Sequence, residues 1–190
     1  MTFPTPRLSF AALALTAILG LGACATTGTM ASDSYATSTL LSADAKQALS
    51  ARVTAFDRDM NRGNISAVMD YLPPKMIAQL SDSVGADPEF MKAAAGAMLE
   101  GLTRELTIAG RSDLSQALVG TAGNGNPYAL VPGAASITAG KETMVEQGTT
   151  LALLDGGQWY LVGLADAETV TDIRKAYPEF RGVALPVRQN

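Results

Sequence analysis

The sequence predicts an α+β domain in which N-terminal helices pack on a curved antiparallel sheet and a short helix follows the last strand. In the first half of the domain, apolar residues recur every three or four positions, which is the period of an amphipathic helix. In the second half, short apolar runs are separated by glycine, proline and asparagine, which is typical of strands joined by turns. Helices followed by a run of strands indicate the α+β class.

The composition limits the size and the chemistry of this domain. The chain has 190 residues, of which 47% are hydrophobic and 17% charged, enough for one domain with a buried core. Its 14 basic and 18 acidic residues give a net charge of −4, so we expect no nucleic-acid partner. It contains no histidine and a single cysteine. Histidine-dependent catalysis and an intrachain disulfide are therefore excluded, and we expect no metal site and no cofactor.

Residues 1–23 have the pattern of a secretory signal peptide. Arg7 precedes an apolar run from Phe10 to Leu21, which is too short to cross a hydrocarbon core of roughly 30 Å as a helix. The segment Leu21-Gly22-Ala23-Cys24 resembles the lipobox of bacterial lipoproteins, where a branched apolar residue and two small residues precede a cysteine. The alternative is an ordinary secretory signal followed by a chance cysteine.

The resemblance to lipoproteins implies how the mature chain is anchored. Cleavage would fall between Ala23 and Cys24, the Cys24 sulfur would carry a diacylglycerol, and the freed amine would be acylated. Two or three acyl chains hold a protein stably on a membrane, whereas one chain is marginal. Ala25 stands where an aspartate often marks inner-membrane retention in enterobacteria. The expected location is therefore the cell envelope, at the periplasmic face of the outer membrane.

Residues 24–40 are interpreted as a lipidated, flexible tether. Eight of the sixteen residues from 25 to 40 are serine or threonine, and they show no apolar period. A random coil of this length reaches about 20–25 Å. We therefore expect a folded domain over residues 41–190 that stays in water close to the membrane.

Three helices are predicted before the strands begin. The first carries five apolar residues on one face, is capped by Ser42 or Asp44 and ends at Gly63. Those five residues are Ala45, Leu49, Val53, Phe56 and Met60. A shorter helix capped by Asn64 runs up to Pro73, followed by one or two turns over residues 75–80.

The third helix begins at Asp87 and is predicted to continue to Gly110. Asp87 can accept an orphan amide hydrogen bond, and proline at position 88 fits the first helical position. Met91 and Met98 lie at helical spacing and are predicted to belong to the core.

Five short strands and a final helix are predicted after the third helix. The strands cover residues 114–120, 128–137, 142–147, 149–154 and 158–164. Pro132 and Gly133 interrupt the second of these, which predicts a bulge or an edge position for that strand. Both faces of the last strand are apolar, so it is covered on both sides, or covered on one side while it lines a cavity on the other. The final helix, residues 167–177, stops at Pro178.

The element order and a few anchor residues resemble the nuclear transport factor 2-like (cystatin-like) domains. The run from Gly157 to Phe180, with Trp159 and Tyr160 and the closing Tyr177-Pro178-Glu179-Phe180, is similar to the last segment of that superfamily. Gly63-Asn64 and Tyr71-Leu72-Pro73-Pro74 are similar to its first helical pair, so the resemblance spans roughly residues 43–180. It implies a cone-shaped fold with a pocket at the open end, and Gly148 and Gly163 are candidates for the bends of the sheet.

Four residues are the candidates for lining such a pocket: Tyr128, Met144, Trp159 and Tyr160. Plain core packing is the alternative for the aromatic residues, because aromatic side chains beside a hairpin usually fill the interface between sheet and helices. The expected function is non-catalytic binding of a small apolar ligand or a peptide. An interaction or assembly module of the cell envelope, docking through an exposed sheet face, is a second hypothesis.

Some members of the superfamily are isomerases or dehydratases, which supplies a third hypothesis. An aspartate or glutamate base and a tyrosine donor would be needed. The acid candidates are Asp57, Asp70, Glu142, Glu146 and Asp155, and the tyrosine candidates are Tyr71 and Tyr128. A non-catalytic role explains these acids better: Asp57 borders the apolar stripe, Asp155 forms a turn, and Glu142 and Glu146 belong to the solvated face of a strand. We therefore expect no catalytic residue.

Overall fold

A computed structural model describes residues 41–187 of the chain. The predicted signal peptide, the lipidation site Cys24 and the tether lie outside the described residues. Within residues 41–187, no helix has both the length and the apolar character needed to cross a bilayer.

The N-terminal half of the described domain is helical, as predicted. Helix α1 spans Ala43–Asn61 and begins where the Ser42 side chain accepts a hydrogen bond from the Ala45 amide. Its buried face includes Leu49 and Val53, and the chain turns at Gly63 with φ of +70°.

Two further helices follow α1, and both begin with proline in the first turn. Helix α2 spans Pro74–Val84, and helix α3 spans Pro88–Thr103. The Asp87 carboxylate accepts hydrogen bonds from the amides of Glu89 and Phe90, as its predicted capping role requires.

The structure corrects four details of the predicted helical half. The segment after Asn64 is a 3-10 helix over Ser66–Tyr71. Its N-cap residue is Ile65 and not Asn64, as was predicted from the sequence. Helix α2 is longer than the one or two predicted turns, while α3 ends at Thr103 instead of Gly110. Met98 lies on the outer surface of α3 and is 67% exposed, so it is not a core residue.

The second half forms a curled antiparallel sheet, which confirms the predicted α+β class. The strands are β1 (Leu106–Ser112), β2 (Leu118–Thr121), β3 (Pro127–Ala139), β4 (Glu142–Asp155) and β5 (Gln158–Gly163). The sheet order is β1-β3-β4-β5, and β2 pairs with the first part of β3. Strand β1 was not predicted, and β4 is one continuous strand where two were predicted.

The strand that contains Pro132 is neither bulged nor at an edge, which were the two predicted alternatives: β3 is an interior strand and pairs with β4 residue for residue. Strand β1 pairs with β3 from Gly133 onward and β2 pairs with it up to Leu130. The gap between those two edge strands lies beside Pro132, whose carbonyl accepts a hydrogen bond from the Asp113 amide. Proline has no N–H to donate, so the pairing with the edge strands β1 and β2 is interrupted at this position. Strand β3 itself remains continuous.

The sheet carries a core on each of its two faces. On one face, Leu49 and Val53 of α1 pack with Ala129, Ala152 and Leu161, which are paired in register across three strands. On the other face, helix α4 (Ala167–Ala176) covers a second apolar cluster, and Ile173 of this helix is fully buried. Coverage of both faces explains why β5 is apolar on both sides.

Candidate functional site

A cavity of about 230 Å³ lies between the C-terminal half of α1 and the sheet. The helix contributes Phe56, Asp57 and Met60 to its wall. The opposite wall is formed by parts of β1, β3 and β4 and by the end of β5. This wall continues the sheet face on which α1 packs, beyond the point where Leu49 and Val53 fill the space with side chains.

Glycine residues create this space, because each of four strands places one glycine in the cavity wall. The residues are Gly110 in β1, Gly133 in β3, Gly148 in β4 and Gly163 in β5. Gly133 and Gly148 are directly opposite each other, and Gly163 pairs with Thr150. A Cβ atom placed on Gly148 or on Gly163 would meet no atom within 4 Å. Both positions are exposed, so the missing side chains leave the cavity open to solvent there. At Gly133, by contrast, a Cβ atom would lie 2.9 Å from the Arg111 carbonyl oxygen, so this glycine permits a close backbone approach.

Polar side chains of α1 hold the outer edge of β1 at the cavity wall. The Asp57 carboxylate accepts hydrogen bonds from the Ser112 amide at 2.9 Å and from the Ser112 hydroxyl at 2.8 Å. One helical turn later, the Asn61 side chain donates to the Gly110 carbonyl and accepts from the Gly110 amide. These contacts satisfy edge groups of β1 that lack a partner strand, so the helix takes the place of a neighbouring strand.

The structure does not bring the four predicted pocket residues together, and none of them lines this cavity. Trp159 is 2% exposed in the core under α1, where its Nε1 donates to the Ala45 carbonyl. Tyr128 packs edge-on against Phe180 on the opposite face of the sheet. Tyr160 lines a separate cleft beside Arg52 and Lys92. Met144 is 54% exposed near the start of β4.

The candidate acids are spread over the domain rather than grouped around one tyrosine. Asp70 pairs with Lys92 at 2.7 Å, and Glu142 is exposed at the start of β4. The Asp155 carboxylate accepts from the Tyr177 hydroxyl at 2.9 Å. Asp57 and Glu146 line the cavity. Over residues 41–187, no group of three acidic or cysteine side chains is placed to bind a metal ion.

An acid–tyrosine pair that sequence reasoning did not select joins α1 to the 3-10 helix. The Tyr71 hydroxyl donates to the Asp59 carboxylate at 2.6 Å, and Tyr71 is 5% exposed. This hydrogen bond is the main reason that the pKa of Asp59 is lowered. Burial, together with the same hydrogen bond, raises the pKa of Tyr71 to about 12. The pair lies in the packing between elements and not in the cavity wall, so it stabilises the fold.

Replacing Tyr71 with phenylalanine is expected to alter stability at both ends of the pH range. The lowered pKa of Asp59 gives stability that is present above its unfolded pKa and is lost as pH falls through the folded value. The raised pKa of Tyr71 gives stability that is present below about pH 10 and is lost as pH rises towards about 12. Urea unfolding from pH 2 to 12 should show that the free energy of unfolding depends less on pH in Tyr71→Phe, at both the acid and the alkaline end. Unchanged acid and alkaline limbs would contradict the assigned coupling.

Neither a protein-family model nor a curated protein matches the chain. Among solved structures, the chain is similar to the 1.8 Å structure of Aln2 from a Streptomyces species, with 12% sequence identity and a TM-score of 0.42. The match covers 64% of this chain and 88% of that chain. Function is therefore inferred from the cavity itself.

Proposed function

We propose that the domain binds a small apolar molecule in the cavity between α1 and the sheet. The observation that carries this proposal is the set of three glycines, Gly110, Gly148 and Gly163, whose missing side chains leave open space in the sheet wall of a pocket that Phe56 and Met60 also line. The pocket opens to solvent at Gly148 and Gly163, and its wall is mainly apolar. An apolar guest would remove this apolar surface from water, which is favourable.

The size and the chemistry of the wall favour a compact, uncharged ligand. The volume of about 230 Å³ is below the roughly 300–1,000 Å³ of pockets for drug-sized molecules. Ala134, Ala135 and Ala165 add further apolar surface to the glycines. We therefore expect a molecule of about the size of one or two fused rings, or a short branched hydrocarbon.

Binding without catalysis is the activity that the side chains support best. A general base must lie within hydrogen-bond reach of the proton that it removes. Both carboxylate oxygens of Asp57 already accept hydrogen bonds from Ser112, which ties this acid to the edge of β1. We accordingly assign Asp57 a structural role in the cavity wall.

Filling the cavity should abolish binding. Leucine at Gly148 or Gly163 projects into open volume on the α1 side, and neither glycine has a positive φ, so the backbone accepts the change. With hexafluorobenzene as the probe, we expect ¹⁹F line broadening for the parent chain and at least about tenfold weaker binding for Gly148→Leu and for Gly163→Leu, because a filled cavity gains nothing from a guest.

Gly182→Leu is the matched control, since it also adds a side chain in open space but lies outside this cavity. It should bind the probe as the parent does. Equal binding by all three variants, or no binding by the parent, would refute the proposed site.

We further propose that the chain is a lipoprotein of the bacterial envelope, held by lipid on Cys24 at the periplasmic face of the outer membrane. The support is the apolar run that ends in Leu21-Gly22-Ala23-Cys24 and the serine- and threonine-rich segment after it. A cavity for an apolar molecule close to a membrane suits a ligand that partitions between lipid and protein. Membership of the nuclear transport factor 2-like superfamily belongs to the same proposal and rests on the matching element order.

A further inference from the structure

Strand β4 has an open edge over its first half. It pairs with β3 along residues 142–153, whereas β5 covers its other side only over residues 150–155. After Gly163 the chain leaves the sheet, and the Leu164 amide donates to the Thr149 carbonyl at this point. Within residues 41–187, no strand pairs with this side of β4 between residues 142 and 148.

The backbone groups at this open edge alternate along the strand. Because the Thr149 carbonyl points to the β5 side, Thr143, Val145 and Gln147 present their amides and carbonyls on the same side. The hydroxyls of Thr138 and Thr143 lie 2.9 Å apart, as expected for a cross-strand pair that is not hydrogen-bonded through its backbone. Among residues 41–187, the outward groups of the three edge residues form no hydrogen bond. Such a row of donors and acceptors matches an extended chain.

The cavity between α1 and the sheet opens beside this edge. Its wall includes Glu146, Gln147 and Gly148 of β4, and Gly163 at the end of β5. Even-numbered residues of β4 face α1, since Ala152 belongs to the core under that helix. A residue added opposite Glu146 therefore points its side chain to the cavity side, diagonal to the missing side chain of Gly148. This geometry lets one side chain of an added strand enter the cavity.

The same half of β4 carries exposed apolar residues on both faces of the sheet. Met144 is 54% exposed on the α1 side, and Val145 is 63% exposed on the other side. Edge strands are normally protected by lysine, proline or a bulge, and residues 142–149 contain none of these. The charged residues of this segment, Glu142 and Glu146, both lie on the α1 side. A second copy paired edge to edge would bring the glutamates of both copies to one face, whereas a basic residue on an added strand would complement them.

We propose that β4 binds an extended peptide segment of another protein as an additional antiparallel strand, with one apolar side chain in the cavity and a basic residue beside Glu142. The segment continues the line of β5, so it pairs with residues 142–147 in the antiparallel sense of the rest of the sheet. A cavity of about 230 Å³ has room for the side chain of phenylalanine or leucine. This inference rests on the proposed cavity site and identifies its occupant as the side chain of a peptide.

A short blocked peptide tests the pairing directly. The sequence threonine-phenylalanine-threonine-valine-threonine-lysine places phenylalanine opposite Glu146 and lysine opposite Glu142. With a fluorescent label, it should bind the full-length chain in an anisotropy titration. N-methylation of its first, third and fifth residues, whose amides face β4, should weaken binding at least about tenfold. N-methylation of its second and fourth residues is the matched control, and this peptide should bind within about twofold of the unmodified one, because those amides point away from β4.

Val145→Pro tests the same edge from the side of the protein. It removes the amide at the centre of the open edge, which makes no bond to β3, so the strand should persist. We expect at least about tenfold weaker peptide binding. Val145 does not line the cavity, so the variant should bind hexafluorobenzene as the parent does. In the parent, the peptide should displace hexafluorobenzene.

The two binding measurements separate the edge from the cavity. If the parent binds hexafluorobenzene but not the peptide at about 1 mM, the peptide inference is overturned and the cavity site stands. Equal binding of the two methylated peptides would overturn it as well, since the backbone pairing would then be absent. Peptide binding by a parent that does not bind hexafluorobenzene would overturn the placement of phenylalanine in the cavity. A dimer of the parent that Val145→Pro disperses and the peptide does not would make a second copy the occupant, against the proposal.

Discussion

Replacing Arg52 with alanine should lower the free energy of unfolding by about 3 kcal/mol. The guanidinium donates from Nε to the Trp159 carbonyl at 3.0 Å and from Nη2 to the Asp70 carbonyl, and it lies over the Tyr71 ring at 4.1 Å from the centroid. One side chain of α1 therefore joins β5 and the 3-10 helix. Its removal leaves two backbone carbonyls without their donor and removes a cation–π contact.

Arg58→Ala is the matched control on the same helix. Arg58 is 53% exposed and makes one long contact, at 3.5 Å, with its neighbour Asp59. Exposed contacts of this kind contribute about 0–1 kcal/mol. Urea unfolding should therefore separate the two variants clearly. Similar losses for both would mean that the Arg52 contacts contribute no more than a surface charge.

Replacing Cys24 with serine should abolish lipid attachment completely. A hydroxyl does not form the thioether to diacylglycerol, and no other cysteine is present in the chain. In cells fed radiolabelled palmitate, the parent should be labelled and found with membranes. The variant should be unlabelled, and it should appear either as soluble processed protein or as uncleaved precursor.

Thr26→Ser tests whether the effect is specific to the sulfur. This position lies two residues after the cysteine and keeps its hydroxyl, so labelling and membrane association should match the parent. Unchanged labelling of Cys24→Ser would refute the lipoprotein assignment and favour an ordinary secretory signal. The cavity proposal would stand in either case, because the cavity is built from residues 56–165.

The elements with strong local signals were predictable from the sequence. Helix α1 combines a serine cap, a single apolar stripe and a glycine stop, and the hairpin of β4 and β5 turns at Gly156 and Gly157, both with positive φ. Strand β1 was missed because Leu106 and Ile108 continue the apolar spacing of α3, and Gly110 reads equally well as a helix stop. Tertiary pairing with Ala135 and Ile137 of β3 decides the outcome there.

The cavity itself could not be read from the sequence, because its wall is defined by absent side chains. The sequence predicts Gly148 and Gly163 as bends of the sheet, but only the register shows that they face α1 together with Gly133. Trp159, an aromatic residue beside a hairpin, packs in the core under α1. The glycines lie on the same face of the sheet, where no large side chain fills the space. Large side chains therefore mark the packed half of this face, whereas its open half is marked only by glycines.

A crystal structure of the domain under xenon pressure tests the central proposal most directly. Xenon enters apolar cavities that are large enough to hold it and requires no knowledge of the natural ligand. We predict one strong xenon peak between Met60 and Gly148. The peak should be lost in crystals of Gly148→Leu, because the leucine side chain occupies the same space. An interior in which Phe56 and Met60 close onto the sheet, with no xenon between α1 and the glycines, would contradict ligand binding as the function of this domain.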